Sequence, residues 1–287
     1  MKIGLLISGG LGLAVFKMLI TEYKINFVLC DRMSESIINF SLKNNIAYYA
    51  GNPRNGRAIN ILGNLECDVI VSVNYLFIVE KDIINLPKKI AINFHGSLLP
   101  KYRGRTPHVW AIINNETQTG ITSHIIDENC DTGDIISQIN VSIEPYETGA
   151  DLLLKFKELY PKFVLETLKS IESNSFSLKK QKNEIATYFG KRTKEDGQIN
   201  WSWQKERISN WVRAQSKPYP GAFSYLNKNK IIIHKVTYSD FGFSNDIENG
   251  SILFLENSLP IVKTPNGCLQ ITDFEFEEDI NIFDILK

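Results

Sequence analysis

Cysteine is scarce in this chain. Four cysteines (Cys30, Cys67, Cys130 and Cys268) are spread over 287 residues without a CxxC pair. Metal-ligand spacing is therefore missing, and so is the cysteine density of a disulfide-stapled secreted fold. No apolar run approaches the eighteen or more residues of a membrane span. The opening MKIGLLISGG has one lysine, a short apolar run and then glycines, which suits a buried first strand rather than a secretory leader. Net charge is absent too: 32 Lys and Arg face 32 Asp and Glu. A neutral chain lacks the bulk attraction behind most non-specific nucleic-acid affinity, although a local basic patch would vanish in the sum. These absences predict a soluble cytoplasmic protein with no metal and no membrane partner.

What is present is ordinary globular composition, 43% hydrophobic and 22% charged, which excludes a disordered or fibrous chain. The length suits one large and one small domain. In the first half, LLI (5–7), INFVLC (25–30), CDVIVSV (67–73) and KIAINF (89–94) are short, β-branched and nearly continuous in hydrophobicity, as strands buried on both faces of a parallel sheet are. Residues 12–23 and 35–44 between them carry apolar positions at helical spacing. The alternation predicts an α/β fold: a Rossmann-like, mostly parallel sheet with helices on both faces. Further strands are expected at 120–127 and 135–141. A long amphipathic helix is expected over 148–171, opened by Thr148 with Asp151 three residues on. After residue 172 the chain turns polar and reads as a surface linker, followed by a short helix at 204–215. Five strand-like runs separated by Asn-Lys-Asn, Asn-Gly and Pro-Asn-Gly turns then predict a small all-β unit. The expected division is 1–180, a linker at 181–203, and 204–287.

Two stretches carry chemistry. In AINFHGSLLPKYRGRTPHVWAI (91–112), Asn93 and His95 lie two apart at the end of a predicted buried strand, so both side chains point to one side. Open α/β sheets bind ligands beyond the carboxyl ends of their strands. An Asn and a His there could polarise a carbonyl and shuttle a proton, while a capping Asn and a satisfied core His share the same spacing. In ITSHIIDENCDTGDIISQ (121–138), Asp127, Glu128, Asp131 and Asp134 share one loop. An Asp bonded to His95 would orient its ring; a solvated acidic turn is the other reading. His124 and His234 fall in predicted strands and read as structural, although strand alternation can turn His124 towards the site.

Other groups have two readings each. SGGLG (8–12) with Asp31 after the second strand partly matches a dinucleotide fingerprint, but the glycines are misplaced for GxGxxG and a tight strand-to-helix turn explains them. Lys101, Arg103 and Arg105 form a cationic loop suited to a phosphate or carboxylate, or simply to solvent. His108 and Trp110 suit the start of a helix. Trp201, Trp203 and Trp211 suit either base stacking or aromatic packing.

The order N-x-H-x-S-L-L-P-x-Y-R-G, then a D-x-G loop about 35 residues later, resembles the folate-dependent formyltransferases. YFGKRTKEDGQINWSW (188–203) and ISNWVRAQSKPYPGAFSY (208–225) look like the entry to the C-terminal domain of that family. The resemblance implies a truncated OB-like C-terminal domain, and Asn93, His95 and Asp131 as catalytic residues. It implies N10-formyltetrahydrofolate as formyl donor, met by Asn74, Tyr75, Leu76, Phe77 and Ile78 and by Asp127, Glu128, Asn129 and Cys130. It implies acceptor contacts from Ser8, Gly9, Gly10, Ser97, Lys101, Arg103, Gly104, Arg105 and Tyr219. Gly96 departs from the family, standing where tRNA and amino-arabinose members often have Pro. The implied reaction is attack of a neutral amine on the formyl carbon. Asn93 and protonated His95 would stabilise the developing oxyanion, and Asp131 would orient His95 and help move a proton.

Charge then bears on the acceptor. Residues 188–287 hold 12 Lys and Arg against 13 Asp and Glu, a net of −1 where tRNA-modifying members grip tRNA. The shortened β unit and the PYPGAF motif resemble the sugar-modifying members, and that resemblance implies a small-molecule nucleotide sugar as acceptor, a dTDP- or UDP-linked amino-deoxy-hexose for surface polysaccharide, with no nucleic-acid partner. A homodimer is expected. The alternatives are a methionyl-tRNA formyltransferase and, in a different class, an NAD(P)-dependent oxidoreductase or nucleotide-binding module.

Overall fold

The computed structural model describes residues 1–63 and 65–287. Strand and helix alternate from the start: β1 (Lys2–Ile7), α1 (Gly9–Glu22), β2 (Lys24–Cys30), α2 (Glu35–Lys43), β3 (Ala47–Ala50), α3 (Arg57–Leu62), β4 (Val69–Val73), α4 (Lys81–Ile84) and β5 (Ile90–His95). There follow β6 (Arg103–Gly104), α5 (Pro107–Ile113), β7 (Gln118–Ile125), β8 (Ile135–Ser142), α6 (Gly149–Glu172) and β9 (Tyr188–Phe189). The last part holds α7 (Lys205–Ala214), β10 (Ala222–Leu226), β11 (Asn229–Ser239), β12 (Ile252–Glu256), β13 (Leu259–Thr264) and β14 (Gly267–Glu275).

The near-continuous apolar runs become a seven-stranded sheet in the order β3-β2-β1-β4-β5-β7-β8. Neighbours from β3 to β5 are parallel and β7 joins β5 antiparallel. Leu5, Leu6, Ile7, Val28, Leu29, Ile70 and Val71 have no exposed surface, the reason these strands show no polar alternation. β1 lies between β2 and β4, so the strand order reverses beside it and opens a crevice at the carboxyl ends. Helices flank the sheet. Thr148 caps α6 as expected: its main-chain N–H donates to Asp151 Oδ2 (2.9 Å) and the Asp151 N–H returns to Thr148 Oγ1 (3.2 Å).

Two compact units emerge. The first is Met1–Pro107, Thr119–Val141 and Leu154–Phe189; the second is His108–Gln118, Ser142–Leu153 and Gly190–Lys287. In the second, an antiparallel sheet runs β10-β11-β14-β13-β12, with α7 packed on β11. Two-residue turns join its hairpins. Asn227 (φ 49°) and Lys228 (φ 72°) link β10 to β11, and Asn257 (φ 52°) and Ser258 (φ 67°) link β12 to β13. Paired positive φ matches the right-handed strand twist. Trp201 is buried and donates to Ser224 Oγ; Trp211 is buried, donates to Gly197 O and meets Trp203 edge-on. The tryptophans take the aromatic-packing reading.

The first unit departs from expectation in three places. β3, α3 and α4 appear where no element was expected, each too short to show a period. α1 starts at Gly9, because the glycine turn is itself the first turn of the helix. The stretch expected to be a bare surface crossing carries a ladder: Lys179 and Ile135 exchange two main-chain hydrogen bonds, and β9 pairs parallel with β6, Tyr188 opposite Arg103 and Phe189 opposite Gly104. Main-chain pairing needs no apolar side chains, so hydrophobic periodicity cannot reveal it.

Candidate active site

β5 ends at His95, and Asn93 faces the same way two residues earlier. The antiparallel register sets Asn93 opposite His124 and His95 opposite Thr122. Cross-strand partners share a face, so the β5–β7 pairing brings His124 to the site. Asn93 Nδ2 lies 3.1 Å from His124 Nε2 and 3.4 Å from Asp131 Oδ1. His95 Nδ1 lies 3.4 Å, and His124 Nε2 3.5 Å, from the two oxygens of the same carboxylate.

Main-chain carbonyls set the ring protons. His124 Nδ1 is 2.8 Å from the Ile125 carbonyl, which can only accept, so Nδ1 carries a proton, and Nε2 lies within reach of both Asn93 Nδ2 and Asp131 Oδ1. His95 Nε2 is 2.7 Å from the Tyr102 carbonyl and carries its proton there. Its Nδ1 faces Asp131 Oδ2.

Asp131 sits in the left-handed region at φ 56° and accepts the Gly104 N–H at 2.8 Å. Burial pushes its carboxyl up. His95, His124 and the Gly104 N–H outweigh that and hold it well below the usual carboxylate range. Gly104 has φ +102°, and a Cβ there would stand 2.2 Å from the Phe189 carbonyl oxygen, so only glycine fits. Thr122 steadies the loop after β5, donating to Ser97 O (2.6 Å) and accepting from the Leu99 N–H (3.1 Å). At Gly96 a Cβ would come within 2.9 Å of Phe156 and 3.1 Å of the Tyr160 hydroxyl; α6 fills the space a larger residue would need.

The other expected residues divide. Asn74 Nδ2 donates to Ser8 O (3.1 Å), joining the loops after β4 and β1. The Gly9 N–H donates to Ser34 Oγ, whose hydroxyl donates to the buried Asp31 carboxylate, so Asp31 serves its own loop. Gly10 faces open space. Tyr75 meets Phe77 edge-on at 5.5 Å, and Leu76 and Ile78 are exposed. Arg105, exposed, donates to Leu76 O. Asp127 folds its loop by accepting from Thr132 Oγ1 and the Asn129 N–H, Glu128 pairs with Lys81 at 2.9 Å, and Asn129 and Cys130 are exposed. Cys130 Sγ is 3.4 Å from Asp131 Oδ2. Lys101 is exposed. Tyr219, in the second unit, meets His108 Nε2 at 2.6 Å.

Two of the expected acceptor contacts are buried, with their polar groups engaged within the protein. Ser97 is fully buried and its hydroxyl donates to Lys101 O at 2.7 Å. Arg103 is 1% exposed, and its guanidinium is committed to Gln181, Asn183 and Tyr188. Spacing alone made Arg103 a member of a cationic loop, but its partners lie some eighty residues away. Sequence reasoning also missed Thr122 and Gln181; the alternation of β7 was the available signal for His124.

A carboxylate, an amide and two imidazoles converge at the carboxyl edge of a mostly parallel sheet, where α/β folds bind their ligands, in a chain that also carries an antiparallel β unit. The formyl transferase pattern matches residues 18–168, more than half of the chain, and the formyl transferase C-terminal domain pattern matches 191–282. The chain belongs to the formyl transferase family.

Among its relatives, the bifunctional polymyxin resistance protein ArnA of Wigglesworthia glossinidia brevipalpis is 39% identical over 244 residues, 85% of this chain and 36% of that protein. The chain thus spans about a third of the length of that curated relative. A 4-N formyltransferase from Francisella tularensis is 25% identical with a TM-score of 0.63, covering 81% of this chain and 96% of its own. The N-formyltransferase from Helicobacter canadensis, solved with folinic acid and dTDP-3-aminofucose, is 20% identical with a TM-score of 0.73, covering 96% and 98%, and shares the fold. Among the described residues no helix is long and apolar enough to cross a membrane.

Proposed function

We propose that this protein transfers a formyl group from N10-formyltetrahydrofolate to the primary amine of a dTDP- or UDP-linked amino-deoxy sugar destined for surface polysaccharide. In the same reading it works in the cytoplasm as a homodimer. The observation that carries the proposal is the convergence of Asn93, His95 and Asp131 on one carboxylate-centred cluster. The Helicobacter canadensis enzyme, bound to folinic acid and an amino sugar nucleotide, supports the choice of substrates.

The residues present fit the donor. The loop after β4 offers the exposed apolar side chains Leu76 and Ile78 to a flat heterocycle, and the Tyr75 hydroxyl is buried there without a hydrogen-bond partner. The donor supplies an electrophilic formyl carbon. Asn93 and His95, whose N–H groups are held by Asp131, His124 and the Tyr102 carbonyl in the unliganded protein, would stabilise negative charge gathering on the formyl oxygen once the bound donor draws one of these bonds to itself. Asp131, 3.4 Å from His95 Nδ1, would orient that ring and help move a proton from the attacking amine. Gly104 holds that carboxylate from the other side.

Purified protein incubated with N10-formyltetrahydrofolate and a panel of 3-amino and 4-amino dTDP- and UDP-sugars should yield an N-formylated sugar nucleotide by mass spectrometry. Formylation of methionyl-tRNA with none of the sugars would overturn the acceptor. No formyl transfer to any amine from a folded protein would overturn the activity.

A further inference from the structure

We propose that Gln181 is a positioning residue for Asp131, clamping the turn that presents the carboxylate to His95. This rests on the reading of Asp131 above, and it assigns a role to the polar stretch after α6. The Gln181 side-chain N–H groups donate to two carbonyls of that turn, Asp131 O at 2.9 Å and Gly133 O at 2.7 Å. Its Oε1 accepts from Arg103 twice, from Nε at 3.1 Å and Nη2 at 2.7 Å. Arg103 donates also to Asn183 Oδ1 (2.9 Å) and to the Tyr188 hydroxyl, and stacks on the Tyr188 ring.

The chemistry of the position calls for an amide. One end must accept from a buried cation and the other must donate to two carbonyls. A carboxylate can do only the first and an ammonium only the second. Asp131 needs such a clamp because a non-glycine residue at φ 56° is held there only by its surroundings. Arg103 is adjacent to Gly104, whose N–H grips the Asp131 carboxylate, so the same anchor fixes backbone and side chain of Asp131 from two sides. β6–β9 pairing locks Arg103 and Gly104 in turn.

Gln181→Ala and Gln181→Glu separate positioning from packing. The glutamate keeps an acceptor for Arg103 but presents no donor to the turn. Both variants should lower kcat roughly 10- to 100-fold, as a displaced group does, with KM for either substrate within about threefold. In an Asp131→Asn background, Gln181→Ala should add less than about threefold, since the group it positions is already disabled. Exchange of the Gly104 amide hydrogen should quicken at least about tenfold in both variants, a readout that does not depend on the assay. Unchanged Gly104 exchange, a Gln181→Glu enzyme with the parent kcat, or full additivity with Asp131→Asn would each overturn the proposal. A parent protein that formylates nothing would sink the activity instead, leaving the exchange result to decide the clamp.

Discussion

Asp131 is the residue on which the site balances. Asn93, His95, His124 and Gly104 all bear on one carboxylate, and His95, His124 and the Gly104 N–H lower its pKa against the effect of burial. Its folded value lies below the ordinary 3.8, so the charge stabilises the fold above that pH, and the contribution is lost as pH falls through the folded value. Asp131→Asn should therefore be less stable than the parent at pH 7, with the gap closing towards pH 2. Denaturant unfolding across that range measures it, and a gap independent of pH would contradict the assignment. In the proposed mechanism Asn93 and His95 stabilise developing negative charge, so Asn93→Ala and His95→Ala should each cost about 100- to 1,000-fold in kcat with circular dichroism unchanged. A folded His95→Ala enzyme with near-parent turnover would remove His95 from the mechanism. Gly104 is legible only in three dimensions: its motif position is visible in the sequence, but its reason is the Phe189 carbonyl some eighty residues on. Gly104→Ala, with a Cβ driven into that carbonyl at φ +102°, should cost at least about 1–3 kcal/mol of stability.

Among the elements, those with period or continuity in their hydrophobicity were legible and those made by main chain alone were not. β1, β2, β4 and β5, α6 with its Thr148–Asp151 box, α7 and all five C-terminal strands lie within a few residues of expectation. β6 and β9 left no trace, because two-residue strands have no pattern. Turn chemistry was legible by residue type, and one turn is open to improvement. The β12–β13 hairpin uses Asn257-Ser258 with both φ positive, where Asn-Gly is favoured. Ser258→Gly should raise stability by about 0.5–1 kcal/mol in a thermal melt; a fall would show that Ser258 has a role in the folded chain beyond the turn.

For the whole molecule, charge distribution bears on the acceptor. With 12 cationic against 13 anionic residues over 188–287, the C-terminal part lacks the surplus that a polyanion requires. If a sugar diphosphate is the acceptor, its KM should change less than about tenfold between 50 and 200 mM salt, whereas six or more phosphate contacts would give about a thousandfold or greater change. A steep dependence would favour a nucleic-acid acceptor.

By itself, the sequence determined the alternation of elements and the composition of the β unit, and its motif order singled out Asn93, His95 and Asp131 as candidates. Local propensity, burial on both faces and motif order are all properties of neighbouring residues. Only the tertiary structure decided that His124 joins the cluster, that Arg103 is buried against Gln181, Asn183 and Tyr188, and that Gln181 bonds to the Asp131 turn. Each depends on strand register or on hydrogen bonds between residues far apart in the chain, and neither leaves a periodic signal in side-chain type.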